Sequence, residues 1–201
     1  MSKVKICGLR RVEDIDAVNH ALPDYIGFVF APSKRRIDIE TAAMLKERLD
    51  NRIKVAGVFV NEEIGIISKM VQDGIIDLIQ LHGDEDDSYI KRLKAMCACP
   101  VIKSVGVGGA LPVLPKAADY LLFDTLSAQR GGTGEKFDWH ILANHRGAPY
   151  FLAGGLTCEN VSEALSRLNP FCVDVSSGVE IDGFKDPEKI DKFVQIVRRI
   201  R

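Results

Sequence analysis

A chain of 201 residues with 46% apolar side chains can fill one domain with a sizeable core. Its 27 basic and 28 acidic residues leave a net charge of −1, which excludes a global field selecting nucleic acid or a membrane surface. Five scattered cysteines, Cys7, Cys97, Cys99, Cys158 and Cys172, form no C-x-x-C pair, so zinc and thioredoxin chemistry are excluded and a reducing cytoplasm is implied. The first residues carry no apolar signal region, and no apolar run reaches the length of a membrane span. One domain over residues 1–201 is the expectation.

Along the chain, short β-branched runs alternate with amphipathic segments. Strands are expected over residues 3–7, 25–30, 53–60, 77–81, 100–105, 120–124, 150–153 and 171–176. Helices are expected over residues 12–21, 39–49, 62–73, 88–97, 139–144, 158–168 and 187–200. Residues 108–117 hold Pro112 and Pro115 and look too short for a helix. Thr157 and Asp186 are the expected caps of the last two helices, the second followed by Pro187.

The runs AGVFV, YLLF and YFLA are nearly continuously apolar, as in strands covered on both faces. Eight strand–helix units of this kind predict a closed parallel (β/α)8 TIM barrel. An open doubly wound sheet is the structural alternative. No strand–G-x-G-x-x-G–helix opens the chain to favour it.

In a barrel, function belongs at the carboxyl ends of the strands, and the unusual polar residues gather there. The first strand ends on Cys7-Gly8. The loop after the second carries Ser33-Lys34-Arg35-Arg36. The fourth ends Gln80-Leu81-His82-Gly83, the sixth on Asp124, the seventh on Gly154-Gly155, and the eighth runs Asp174-Val175-Ser176-Ser177-Gly178. Taken singly, each has a plain structural reading. His82 suits a hydrogen-bonded core position, Arg35 and Arg36 a solvated face, and Cys7 a small buried filler. Their coincidence on one rim favours a site.

A glycine-rich loop over residues 125–136 contains RGGTGEK but not the full phosphate-loop pattern, so a mobile lid is expected there. Glycines in the loops after the seventh and eighth strands let backbone amides approach an anion, which suggests a phosphorylated small molecule. Alternation puts Lys3, Lys5 and Cys7 on one face of the first strand. An interior Lys5 needs a counter-charge, and barrel closure makes Asp174 its expected partner. Cationic neighbours would raise the thiolate fraction of Cys7, a base. A desolvated Asp124 would keep its proton and act as an acid. Acid and base facing across a sugar-sized gap suit an isomerisation. No metal-ligand cluster appears in the sequence.

The segments KICGLR, FVFAPSKRRI, AGVFVN, QLHGDE, LLFDT, GGTGEKFDW, LAGGLTCENV and VDVSSGVEIDGFKD together resemble the phosphoribosylanthranilate isomerase family, in the family's own order and over essentially the whole chain. Ala56 stands where that family commonly has another small or β-branched residue. The resemblance implies a barrel with a degenerate fifth helix. It implies an Amadori rearrangement of N-(5-phosphoribosyl)anthranilate to 1-(2-carboxyphenylamino)-1-deoxyribulose 5-phosphate, in tryptophan biosynthesis, without cofactor or metal. By motif, Cys7 would be the base that removes the C2 proton, and Asp124 the acid that opens the furanose ring. Arg35 would hold the anthranilate carboxylate, with Arg36 a second candidate. His82 and Asp174 would line the cavity. Amides around Gly154, Gly155, Ser177 and Gly178 would bind phosphate. The expected partner is a phosphorylated aminosugar, with no nucleic acid and no membrane, and the protein a monomer or homodimer. Two rivals stay open: a related aminoaldose-phosphate isomerase of histidine biosynthesis, and a non-catalytic barrel that binds a phosphorylated ligand.

Overall fold

Eight strands close into a parallel barrel in the computed structural model, which describes residues 1–125, 138–143 and 145–200. They are β1 (Lys3–Cys7), β2 (Tyr25–Val29), β3 (Lys54–Phe59), β4 (Leu78–Leu81), β5 (Val101–Val107), β6 (Tyr120–Thr125), β7 (Tyr150–Leu152) and β8 (Cys172–Val175). Each pairs with its neighbours in chain order, and β8 closes on β1 with Lys5 opposite Asp174. The open-sheet alternative is thereby excluded. The expected lid over residues 125–136 lies, beyond Thr125, outside the described residues.

Among the described residues, six helices surround the barrel: α1 (Val12–Ala21), α2 (Ile39–Arg48), α3 (Ile64–Gln72), α4 (Asp87–Met96), α5 (Val161–Arg167) and α6 (Pro187–Arg199). Residues 108–119 cross from β5 to β6 without a helix. Asp87 holds the end of this crossover by accepting from the amides of Lys116 and Ala117. The next crossover ends in a 3-10 turn, Trp139–Leu142, where a helix to residue 144 is expected from sequence. No helix among the described residues is long and apolar enough to cross a membrane.

Aspartate caps explain three of these six helix starts. Asp38, Asp86 and Asp186 each accept the amide three residues on, and Pro187 opens α6 with its φ already set. Thr157 behaves differently. Its hydroxyl accepts from the Glu159 amide, while Asn160 bonds back to the Thr157 amide and the Gly155 carbonyl. A side-chain-bonded turn therefore replaces the first expected turn, and α5 begins at Val161.

Among the described residues, buried apolar side chains form three clusters. Between sheet and helices lie Ile6, Ile26, Ile15, Leu45, Ile67, Leu93 and Phe193, all buried. Inside the barrel, Tyr25, Ala56, Leu78, Ile102, Leu122, Phe151 and Cys172 fill the half nearer the strands' amino ends. Above that plug, polar groups share the carboxyl-end half with a small apolar cluster of Val29, Ala31 and Val58, against which Cys7 and Val60 pack. Beyond β8, a two-stranded antiparallel hairpin, β9 (Glu180–Ile181) and β10 (Phe184–Lys185), stands apart from the barrel sheet.

Candidate functional site

The deepest polar element of the mouth is an ion pair. Lys5 Nζ lies 2.9 Å from Asp174 Oδ2, and the lysine side chain is wholly inaccessible. The counter-charge expected from barrel closure is present. Burial alone would lower the Lys5 pKa, but Asp174 and Cys7 outweigh it and hold the ammonium above its ordinary value. On Asp174 burial dominates and raises the carboxyl, whose second oxygen has no hydrogen-bond partner.

Cys7 ends β1 one layer above Lys5, half-buried and free of any disulfide. Its backbone carbonyl accepts from Ser176 Oγ at 2.9 Å, which ties the tip of β1 to the residue following β8. Burial raises the thiol pKa. Lys5 and Lys185 only partly offset that, and Asp174 adds to the rise. The cationic neighbours expected to favour the thiolate act in that direction, but desolvation of the sulfur outweighs them. Gly8 has φ +86°, and the Arg35 side chain fills the place where a Cβ would stand, so the position demands glycine.

Asp124 leaves β6, three strands from β1 around the ring. Burial pushes its carboxyl up to about 6, although the Thr125 amide donates to Oδ1 at 2.8 Å and works the other way. Both Asp124 and Cys7 feel the charges of Lys5 and Asp174, so base candidate and acid candidate address one buried pair. His82 stands beside Asp124, with Nε2 3.7 Å from Oδ2 and 3.5 Å from Ser104 Oγ, and Nδ1 3.2 Å from Gln80 Nε2. The buried Gln80 Oε1 has no hydrogen-bond partner.

Arg35 is buried at the mouth, whereas Arg36 is exposed and uses its backbone to bridge to Val29. Glu180 takes Arg35 through two bonds, Nε to Oε1 at 2.7 Å and Nη2 to Oε2 at 2.8 Å. Glu180 Oε1 also accepts from Lys185 Nζ at 2.7 Å. Burial would raise the Glu180 carboxyl, but its two cations overcome this and hold it at about 2. Lys185, buried and sharing that carboxylate with Arg35, is lowered. Its ammonium also donates to the Ser176 carbonyl at 2.9 Å. Neither Glu180 nor Lys185 is singled out by sequence reasoning. They lie past the last barrel strand, where no period marks an inward face.

The remaining glycines frame the seventh and eighth loops. Gly154 abuts Asp124 and Thr125. Gly178 packs so closely on the Leu156 carbonyl that any Cβ would collide with it, which brings the loops carrying Gly154–Gly155 and Ser177–Gly178 together. Among the described residues, no group of three or more His, Cys, Asp or Glu side chains could hold a metal. The arrangement offers a carboxyl whose pKa is raised toward neutral pH, a thiol that can accept a proton only as its thiolate, and a guanidinium on the thiol's side of the mouth.

Residues 4–196 match a family model described as N-(5'phosphoribosyl)anthranilate (PRA) isomerase. The N-(5'-phosphoribosyl)anthranilate isomerase of Endomicrobium trichonymphae is 51% identical over 201 residues, covering 100% of each chain. A solved phosphoribosyl anthranilate isomerase in complex with reduced 1-(o-carboxyphenylamino)-1-deoxyribulose 5-phosphate superposes with TM-score 0.83 at 32% identity, covering 99% of this chain and 100% of that one. A structure of monomers generated from the dimeric enzyme of Thermotoga maritima gives TM-score 0.83 at 33% identity, covering 99% of this chain and 100% of the other.

Proposed function

The chain belongs to the N-(5'-phosphoribosyl)anthranilate isomerase family, and from that premise we propose how its own residues divide the work. It is an isomerase that converts N-(5'-phosphoribosyl)anthranilate by an Amadori rearrangement, an aldose–ketose interconversion in tryptophan biosynthesis. Asp124 gives its proton to the furanose ring oxygen, the C1–O bond breaks, and the nitrogen lone pair forms C1=N. Cys7, as thiolate, then takes the C2 proton, and the electron pair moves into C1=C2. The resulting enolamine tautomerises to the 2-ketone. Arg35 binds the anthranilate carboxylate; His82 and Asp174 line the cavity. Backbone amides of Gly154, Gly155, Ser177 and Gly178 hold the phosphate.

The observation that carries this division is the pair of unlike groups at the mouth. A carboxyl held at about 6 and a thiol share the same buried Lys5–Asp174 neighbours. The carboxylate-based rival of histidine biosynthesis is disfavoured by the thiol at position 7. The whole chain is read as one barrel domain, supported by β8 closing on β1. The protein takes a small phosphorylated aminosugar as monomer or homodimer, and a dimeric relative supports the second. Five free thiols support a cytoplasmic setting.

Turnover of freshly generated phosphoribosylanthranilate, followed by loss of its fluorescence, tests the roles. Cys7→Ala and Asp124→Asn are each expected to lower kcat by about 10²–10⁴ with the fold intact. Near-wild-type turnover by either variant refutes that residue's role.

A further inference from the structure

Arg35 does not stand alone at the mouth. Its Nε–Nη2 edge is taken by Glu180, a side chain 7% exposed. Its stem lies across Gly8, and its charge is felt by Cys7, so it sits on the thiol's side of the barrel. Glu180 belongs to the β9–β10 hairpin, which is strapped to the loops after β1 and β2. Arg10 donates to the Gly183 carbonyl at 2.7 Å and to the Lys34 carbonyl at 2.8 Å. Arg10 and Arg11 both lie over the Phe184 ring. Lys185, on the same hairpin, anchors to Ser176 and balances the Glu180 charge.

We propose that Glu180 is a positioning residue for recognition of the substrate's carboxylate: it fixes one edge of Arg35 and leaves the Nη1 side as the edge offered to an arylcarboxylate. A guanidinium has five donors in a rigid fork, so occupying one edge decides where the other points. A lone Glu180 would also cancel the charge that attracts the substrate. Lys185 prevents this, because two cations share one anion and the trio stays cationic. The inference rests on Arg35 as the carboxylate clamp.

The test compares phosphoribosylanthranilate with its carboxylate-free analogue, phosphoribosylaniline, on wild type, Glu180→Gln, Glu180→Asp and Arg35→Met. Wild type is expected to prefer the carboxylated substrate, and Arg35→Met to abolish the preference. Glu180→Gln is expected to lower kcat/KM for the carboxylated substrate by about 10- to 100-fold, chiefly through KM, and to change the analogue far less. Glu180→Asp, which keeps the charge but withdraws it by one methylene, gives the same readout if the glutamine variant does not fold. Equal losses on both substrates mean a structural role and overturn the inference. So does an unchanged preference in the Glu180 variants while Arg35→Met loses it. If Arg35→Met itself keeps the preference, the clamp is wrong and the inference falls with it.

Discussion

In the proposed division of work, with Cys7 as base and Asp124 as acid, the two groups hold their protons in the reverse of the order that division needs. Burial keeps the thiol above its ordinary value, while the carboxyl titrates at about 6. Between those two values the dominant form is thiol plus carboxylate. The productive form, thiolate plus carboxylic acid, binds the same number of protons, so its share does not vary with pH in that window. The expected kcat/KM profile is flat between the two values, falling below about 6 with Asp124 and above the thiol range with Cys7. Carbon-13 titration of the carboxyl and the pH dependence of Cys7 alkylation check both limbs. A thiol midpoint below about 8.5, the unperturbed value, contradicts the burial argument. The Lys5–Asp174 pair makes a separate prediction. Lys5→Met leaves a buried carboxylate without its cation and should cost about 3–5 kcal/mol in urea denaturation. The double variant Lys5→Met/Asp174→Leu should recover most of that loss, since it removes both buried charges together.

The loop after β4 shows how elements hold a site residue in place. Glu85, buried between β3 and β5, accepts from the Asn61 amide at 2.7 Å, the Gly83 amide at 2.9 Å and Lys103 Nζ at 3.0 Å. One carboxylate thus joins the exits of β3 and β4 to a side chain of β5, and His82 lies at the centre of that junction. Glu85→Gln leaves at least one buried donor without its acceptor and should destabilise by about 1–3 kcal/mol. Hydrogen exchange should quicken at the amides of Asn61 and Gly83. Unchanged protection there would show that the loop is held by other contacts. Strands and most helices were legible in the sequence because burial on both faces, period and aspartate caps agree locally. KVKIC and residues 12–21 match β1 and α1 residue for residue. Three features were not legible. The delayed start of α5 follows from Asn160 bonding to Gly155 and Thr157, a competition that periodicity does not encode. The helix expected over residues 139–144 is only a 3-10 turn. The β9–β10 hairpin has strands of two residues, too short to carry alternation. For the same reason Cys7, Arg35, His82 and Asp124 stood out at strand ends, while Glu180, 145 residues from its partner Arg35, did not.

At the scale of the molecule, closure is secured twice, by β8 pairing with β1 and by α6 packing against the first helix layer. α6 buries Ile190, Phe193, Val194 and Val197, and its Arg198 donates to the Leu22 carbonyl at the end of α1 at 2.7 Å. Phe193 is fully buried, so Phe193→Ala should cost about 3–5 kcal/mol, measured as a shift in the urea midpoint. A loss near zero would show that α6 is not needed to hold the ring shut. The opposite side of the ring is built more sparingly, with residues 108–119 crossing from β5 to β6 without a helix and Val113 97% exposed. A closed ring of paired strands has no intrinsic first member, so the order in which the ribosome delivers them is a matter of where the polypeptide is interrupted. The helix-free crossover, with Val113 almost fully exposed, offers one place for such an interruption without cutting a helix. A gene divided at that point would encode two complementary pieces, one ending with β5 and the other beginning with β6. Each would carry half of the proposed chemistry, with Cys7 on one piece and Asp124 on the other, and neither could form the proposed acid–base pair without its counterpart.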